Sequence, residues 1–292
     1  MSTLASSIRS GAYTPRSLIL GQLARLRHDP LALLGALTVI AVLLLGLLAP
    51  VVAPYDPNQI SGTEALQAPS WQHVFGTDEL GRDVFSRVIY GARISPWVGL
   101  GAVAISTVIG IAIGLVAGYA AGVVDEVWMR GMDILLAFPG IVLAIAIVAV
   151  LGPGLRNAMI AVGISGIPYF ARVVRAVVLV EREKEYVSAA RAYGQRKSGI
   201  LLLEILPNIA GPVIVLATLS IAGAILTTAA LSFVGLGAQL PTPEWGAMLS
   251  EGRVYLAQQW WMATFPGVAI AVTVLGINVL GDGLRDALDP RM

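Results

Sequence analysis

The chain has 292 residues, of which 57% are apolar and only 13% charged, with a mean hydropathy of +0.79. A soluble domain carries about 25% charged residues, so lipid, rather than water, is the natural solvent for this surface. The formal charge of +1 gives no electrostatic case for nucleic acid, and the lack of cysteine excludes disulfides and thiolate metal sites.

In chain order, a mixed polar segment at 1–30 precedes a charge-free run at 31–53, long enough for a membrane helix of about 20 residues. Its end, VVA at 51–53, weakly resembles a signal-peptidase site. The run is longer than a signal-peptide core and begins late, so an uncleaved anchor is expected. A polar loop at 54–93 follows. Charge-free runs at 94–124 and 134–155 predict the second and third spans. The fourth, 157–180, carries Arg172 and Arg175 near its end, where long basic side chains can snorkel to the headgroups. Residues 205–243 exceed one span and predict a helix plus a return segment, and 254–281 predicts the sixth span.

Six spans place both termini on one side. With the N-terminus inside, fourteen Lys and Arg fall on inner segments and five on outer ones, so the positive-inside bias predicts cytoplasmic termini (1–30 and 283–292) and an extracytoplasmic 54–93 loop. The expected architecture is an all-α polytopic membrane protein with a five-helix unit at 94–282. Gly110, Gly114, Gly118 and Gly122 recur every fourth residue and predict one helix face in close backbone contact with a neighbour.

Enzyme chemistry is poorly supported. Gly163-Ile164-Ser165-Gly166 has the GxSG form used by intramembrane serine hydrolases, but neither His28 nor His73 lies in a span to act as base. Small-residue packing explains it better. Asp78, Glu79 and Asp83 suggest a cation site but are interrupted by Arg82 and lack EF-hand spacing. No catalytic residue and no metal site is predicted. The spans hold no ionisable residue besides the two arginines, which argues against a proton relay. No GxxxxGK[ST] phosphate loop occurs, so energy for uphill work must come from another subunit.

Between the fourth and fifth spans lies EREKEYVSAARAYGQRKSGILLLEILPN (181–208), with five of the nineteen basic residues. Tyr186, Ala189, Ala190 and Tyr193 share one helical face; Lys184, Ser188, Arg191 and Gln195 share another. Gly194 stands where a helix C′ residue takes positive φ. Ser198 is placed to cap a second helix over 199–206, which Pro207 should break before the fifth span. Two readings fit: an amphipathic helix on the headgroups, or a helix that docks in a groove of a cytoplasmic protein and pushes on the flanking spans.

The same segment resembles the EAA loop of ATP-binding-cassette importer permeases. Ser188-Ala189-Ala190, Gly194 and Leu206-Pro207 keep the family's spacing, with Ser188 in place of its Glu and Glu204 in place of its Ile. APYDP, FGTDELGRDVFSRVIYGARIS, LLAFPGIVLAIAIVAVLGPG, LSFVGLGAQLPTPEWGAML and GDGLRDALDP resemble the second membrane subunit of the dipeptide, oligopeptide, nickel and glutathione importer group. The resemblance implies a type I importer permease in the bacterial inner membrane. It implies a heterodimer with a homologous permease, two cytoplasmic ATPases holding ATP and Mg, and an extracytoplasmic solute-binding protein that meets 54–93 and 235–250. No cofactor is expected on this chain itself. It further implies an ATPase-coupling role for Tyr186, Ser188, Ala189, Ala190, Arg191, Gly194, Leu206 and Pro207. The fifth span commonly lines the path in this class, which makes Thr218, Ser220, Thr227, Thr228 and Ser232 candidates; hydroxyls bonding their own helix carbonyls explain them equally well. A Ser165 hydrolase and a passive channel or scaffold are the competing functions.

Overall fold

A computed structural model describes residues 29–288. The predicted cytoplasmic segment 1–28, with His28, and the tail beyond 288 lie outside the described residues. Ten principal helices follow: α1 (Pro30–Leu47), α2 (Val84–Ala92), α3 (Ser95–Ala120), α4 (Gly122–Leu136), α5 (Gly140–Leu151), α6 (Leu155–Glu181), α7 (Glu185–Ala192), α8 (Leu206–Phe233), α9 (Trp245–Gly252) and α10 (Trp261–Leu288). No strand forms among the described residues beyond one isolated bridge, Thr77 to Asp83. Five helical stretches are long and apolar enough to span a membrane, or six if the bent pair α4–α5 is one span.

Local chemistry sets the helix starts. Asp29 Oδ1 accepts from the Leu31 and Ala32 amides at 2.9 and 3.2 Å, with Pro30 in the first turn. Asp83 accepts from Ser86 N at 2.7 Å and Glu244 from Ala247 N at 2.9 Å, opening α2 and α9.

The main axis of the core is the α3–α6 pair. Gly110, Gly114 and Gly118 on α3 receive Phe170, Val174 and Val178 of α6, also spaced by four, and a methyl on any of the glycines would collide with them. Gly122 does not continue the seam. It follows the end of α3 with φ +59°, with open space where a Cβ would stand, and begins α4. Ala144 and Val148 of α5 and Ala224 and Leu231 of α8 close over this pair. α1 packs at the periphery against α10, where a side chain on Gly35 would meet the Leu280 and Gly276 backbone.

Two predicted elements are redrawn. The third span is not one helix: α4 and α5 meet at 89°. Proline disfavours α geometry in the residue before it; Pro139 is extended at ψ 134° and α4 stops at Leu136. At twelve residues, α5 is about 18 Å long, short of a full crossing. Conversely, Pro207 does not break the helix before the fifth span. A short turn at Lys197–Gly199 starts it after Arg196, not after a Ser198 cap, and it runs through a π-helical stretch, Ile200–Ile205, into α8 as one 37-residue helix. Proline has no amide to donate and its ring crowds the preceding turn; the wider π turn just before it makes room, leaving the axis continuous.

Candidate functional site

The segment between α6 and α8 is a helix, a turn and a helix. α7 ends in a Schellman turn: Gly194 N donates to Arg191 O at 3.0 Å, Gln195 N donates to Ala190 O at 3.1 Å, and Gly194 takes φ +75°. No heavy atom would meet a Cβ there, so the conformation, not space, requires glycine.

The two faces of α7 differ from the stripe predicted. Val187 and Ala190 are buried and Tyr186 half-buried, packed with Leu115 of α3, Val174 and Val178 of α6, and Ile200, Ile205 and Ile209. Leu206 joins the same cluster from the edge, and Pro207 is exposed. Ala189 and Tyr193, expected beside Ala190, instead point outward; Tyr193 is 91% exposed. Ser188, Ala189, Ala192 and Tyr193 thus form a free surface on a helix whose other side is embedded among three spans.

An ionic staple sets the root of α7. Glu181, 8% exposed, accepts from Tyr186 Oη at 2.8 Å and Lys184 Nζ at 2.7 Å. Burial, and then the adjoining Glu181 carboxylate, push the Tyr186 phenol well above its usual range, so it stays a donor at any physiological pH. Arg182 reaches across to Gly118 O at 3.0 Å, tying the segment to the last turn of α3.

The two arginines of the fourth span are paired, not simply snorkelling. Arg175 makes a bidentate bond to Asp125 at 2.5 and 2.6 Å, and Arg172 contacts Asp133 at 2.5 Å. Both acids are on α4, eight residues apart, and both arginines are on α6, three apart. That spacing is visible in the sequence, but only the tertiary structure lays α4 against α6.

The five path candidates divide. Thr228 and Ser232 are buried: Thr228 donates to Ala224 O, and Ser232 Oγ accepts from Ala238 N at 3.1 Å. Thr218 bonds Ile214 O and does not line the central cavity. Ser220 and Thr227 do, in a space of about 200 Å³ with Ser106, Ser165, Tyr169 and Gly140 at the start of α5. Their hydroxyls donate to Leu216 O and Gly223 O. Ser165 donates to Val162 O at 2.9 Å, and no His, Lys, Asp or Glu lines this cavity among the described residues. His73 is held at 2.9 Å by Asp83 in the 54–93 loop.

That loop carries a buried ionic cluster. Asp83 leaves the acidic group expected with Asp78 and Glu79, because it caps α2. Glu251 of α9 takes its place, contacting Arg82 and Arg87 at 3.0 Å each, while Asp78 holds Arg82 Nε at 2.6 Å. Asp78, Glu79 and Glu251 offer oxygens within 4.8 Å of one another. Both arginines, 1% exposed, already supply the countercharge there. Trp245 Nε1 donates to Val88 O at 2.9 Å and Trp261 Nε1 to Thr77 O at 3.1 Å, locking loop, α2, α9 and α10 together.

Comparison with known proteins gives this geometry a family. Residues 110–292 match the family described as "Binding-protein-dependent transport system inner membrane component", and residues 20–69 match "N-terminal TM domain of oligopeptide transport permease C". The chain is 47% identical to a dipeptide transport system permease protein of Alkalihalophilus pseudofirmus, over 92% of this chain and 88% of that one. It is 47% identical to a di/tripeptide transport system permease protein of Pseudomonas aeruginosa, over 91% and 89% of the two chains. A glutathione transport system permease protein of Escherichia coli is 49% identical, over 92% and 89%. The α3–α6 core, the α7 segment and the apolar spans are therefore those of a multi-pass inner-membrane permease, and the chain belongs to the binding-protein-dependent transport system inner membrane component family.

Proposed function

We propose that the chain is the permease subunit of an ATP-driven importer of dipeptides or short oligopeptides, with α7 as the lever through which partner ATPases act. The observation that carries this is the asymmetry of α7. Its inner face is embedded in the ends of α3, α6 and α8, and its outer face offers the small side chains Ser188, Ala189 and Ala192 with Tyr193 projecting. A push on such a helix moves the spans it is packed on. The 181–208 segment and both termini are cytoplasmic in this reading, supported by the arginine and lysine bias. Two ATPases supply ATP and Mg chemistry, a homologous permease completes the path, and a solute-binding protein delivers peptide at the 54–93 and α9 face. Ser220 and Thr227 face that path. Peptide cargo is inferred from the names of the relatives; a glutathione carrier, as in the Escherichia coli relative, is the second reading.

The docking test is cysteine crosslinking in the assembled complex. Cysteine at Ala189 or Ser188 is expected to link to cysteines in the ATPase groove, with yield changing on ATP binding. Cysteine at Ala190, 9% exposed, is expected not to link. Absence of links at every outward position in a folded complex would refute the lever.

A further inference from the structure

Beside α7, between the end of α3 and the 181–208 segment, lies a groove of about 550 Å³. Three cationic side chains line it, Arg182, Arg191 and Lys197, against one carboxylate, Glu183. Glu183 is engaged by Arg182 Nε at 2.9 Å. Arg191 stands over the Tyr119 ring at 5.3 Å and donates to Arg182 O at 3.2 Å. Among the described residues no carboxylate is in ion-pair contact with Arg191 or Lys197. Among the described residues the groove therefore carries more positive than negative charge.

At one edge the groove meets the apolar surface of α3. Ala120 lines the groove, and from it an exposed apolar stripe runs back up α3 at four-residue spacing through Val116 (42% exposed), Ala112 and Val108 (68% exposed). Tyr119 sits at the end of this 26-residue helix, the headgroup level where aromatic side chains collect. On the other side, Leu202 and Leu203 are exposed just beyond Ile200. An acidic peptide would meet the cations but leave the stripe uncovered. An amphiphile with an anionic head and a hydrocarbon tail matches both.

We propose that this groove binds the phosphate headgroup of an anionic membrane lipid, with an acyl chain along the Ala120–Val116–Ala112–Val108 stripe. Binding requires only that α3 spans the bilayer. Its consequence, that the lipid clamps Arg191 and Lys197 to the last turn of α3 and so stiffens the lever, rests on the coupling role given to α7.

The test uses the purified full chain in phosphatidylcholine nanodiscs containing phosphatidylglycerol, with retained lipid counted by native mass spectrometry. Arg191→Gln combined with Lys197→Gln is expected to weaken phosphatidylglycerol retention about thirtyfold, a factor of about five for each basic side chain removed. Arg253→Gln, which removes a charge near Phe233 at the other end of α8, is expected to leave retention unchanged and controls for folding. Equal loss in both variants, or unchanged retention in the double variant, overturns the site. Displacement of the lipid by millimolar inorganic phosphate would make free phosphate the ligand, and displacement by added ATPase subunits or by the partner permease would assign the groove to protein; each refutes the proposal. Lipid retention is read on the permease alone, so failure of α7 to crosslink an ATPase would leave this result interpretable.

Discussion

Gly114 and Gly122 share a motif but not a role. A Cβ at Gly114 would lie 2.6 Å from Val174 Cβ and 2.8 Å from Ala171 O, so Gly114→Leu forces α3 and α6 apart. Overpacking of this kind costs about 1–3 kcal/mol or more, and the expected readout is a large loss of thermal stability in detergent. Gly122→Ala meets no neighbour and should cost only the left-handed penalty, about 1–2 kcal/mol. Gly194→Val meets a larger penalty of the same kind at φ +75°, because valine is β-branched, and at the turn that aims α7. It is expected to reduce ATP-dependent transport severalfold while membrane insertion, read by fractionation, stays near normal. Equal loss of both would make Gly194 merely structural.

At the scale of elements, two ion pairs tie α4 to α6. Arg175 and Asp125 form two charge-assisted hydrogen bonds, each worth about 1.5–3 kcal/mol where solvent is excluded. Arg175 is one-third exposed at its side chain, so solvent screening brings the whole pair down toward the roughly 1 kcal/mol of a partly exposed ion pair. Asp125→Asn and Arg175→Gln, with the double variant, should give a thermodynamic cycle with a coupling energy of about 1 kcal/mol. A cycle closing to zero would show that α4 is held by its apolar contacts alone. Because α6 runs directly into the root of α7, the proposed lever role would make α4 follow α7 through this pair.

Across the whole molecule, two polar assemblies lie at opposite ends of one apolar bundle. At one end the Glu181 staple roots α7; at the other the Arg82–Arg87–Glu251 cluster ties the 54–93 loop to α9. Burial pushes the Glu251 carboxyl up, against the pull of Arg87 and Arg82. Its folded pKa exceeds its unfolded one, so the folded state holds the extra proton. The contribution of Glu251 to stability is accordingly full at low pH and is lost as pH rises above the ordinary carboxylate range. Melting curves of the wild type and Glu251→Gln across that range should show the variant lacking this downward component; parallel curves would contradict it.

Much of this molecule was legible in order along the chain. Charge-free runs locate the long apolar helices, because an unpaired ion in hydrocarbon is costly, although the run at 134–155 is broken at Pro139. The four-residue glycine spacing marks the α3 seam, because only a helix repeats a face at that interval. Gly194 declares a left-handed turn, because other side chains resist it. The tertiary structure decided what depends on a partner in space. It turned Ala189 and Tyr193 outward and Val187 inward, since the buried face of α7 is set by where α3, α6 and α8 converge. It carried the helix past Pro207 through a π turn and bent the chain at Pro139, two outcomes of one residue type that local preference does not separate. It also joined Glu251 to Arg82 and Arg87 across more than 160 positions, a pairing that no periodicity encodes because it depends on the path of the intervening chain.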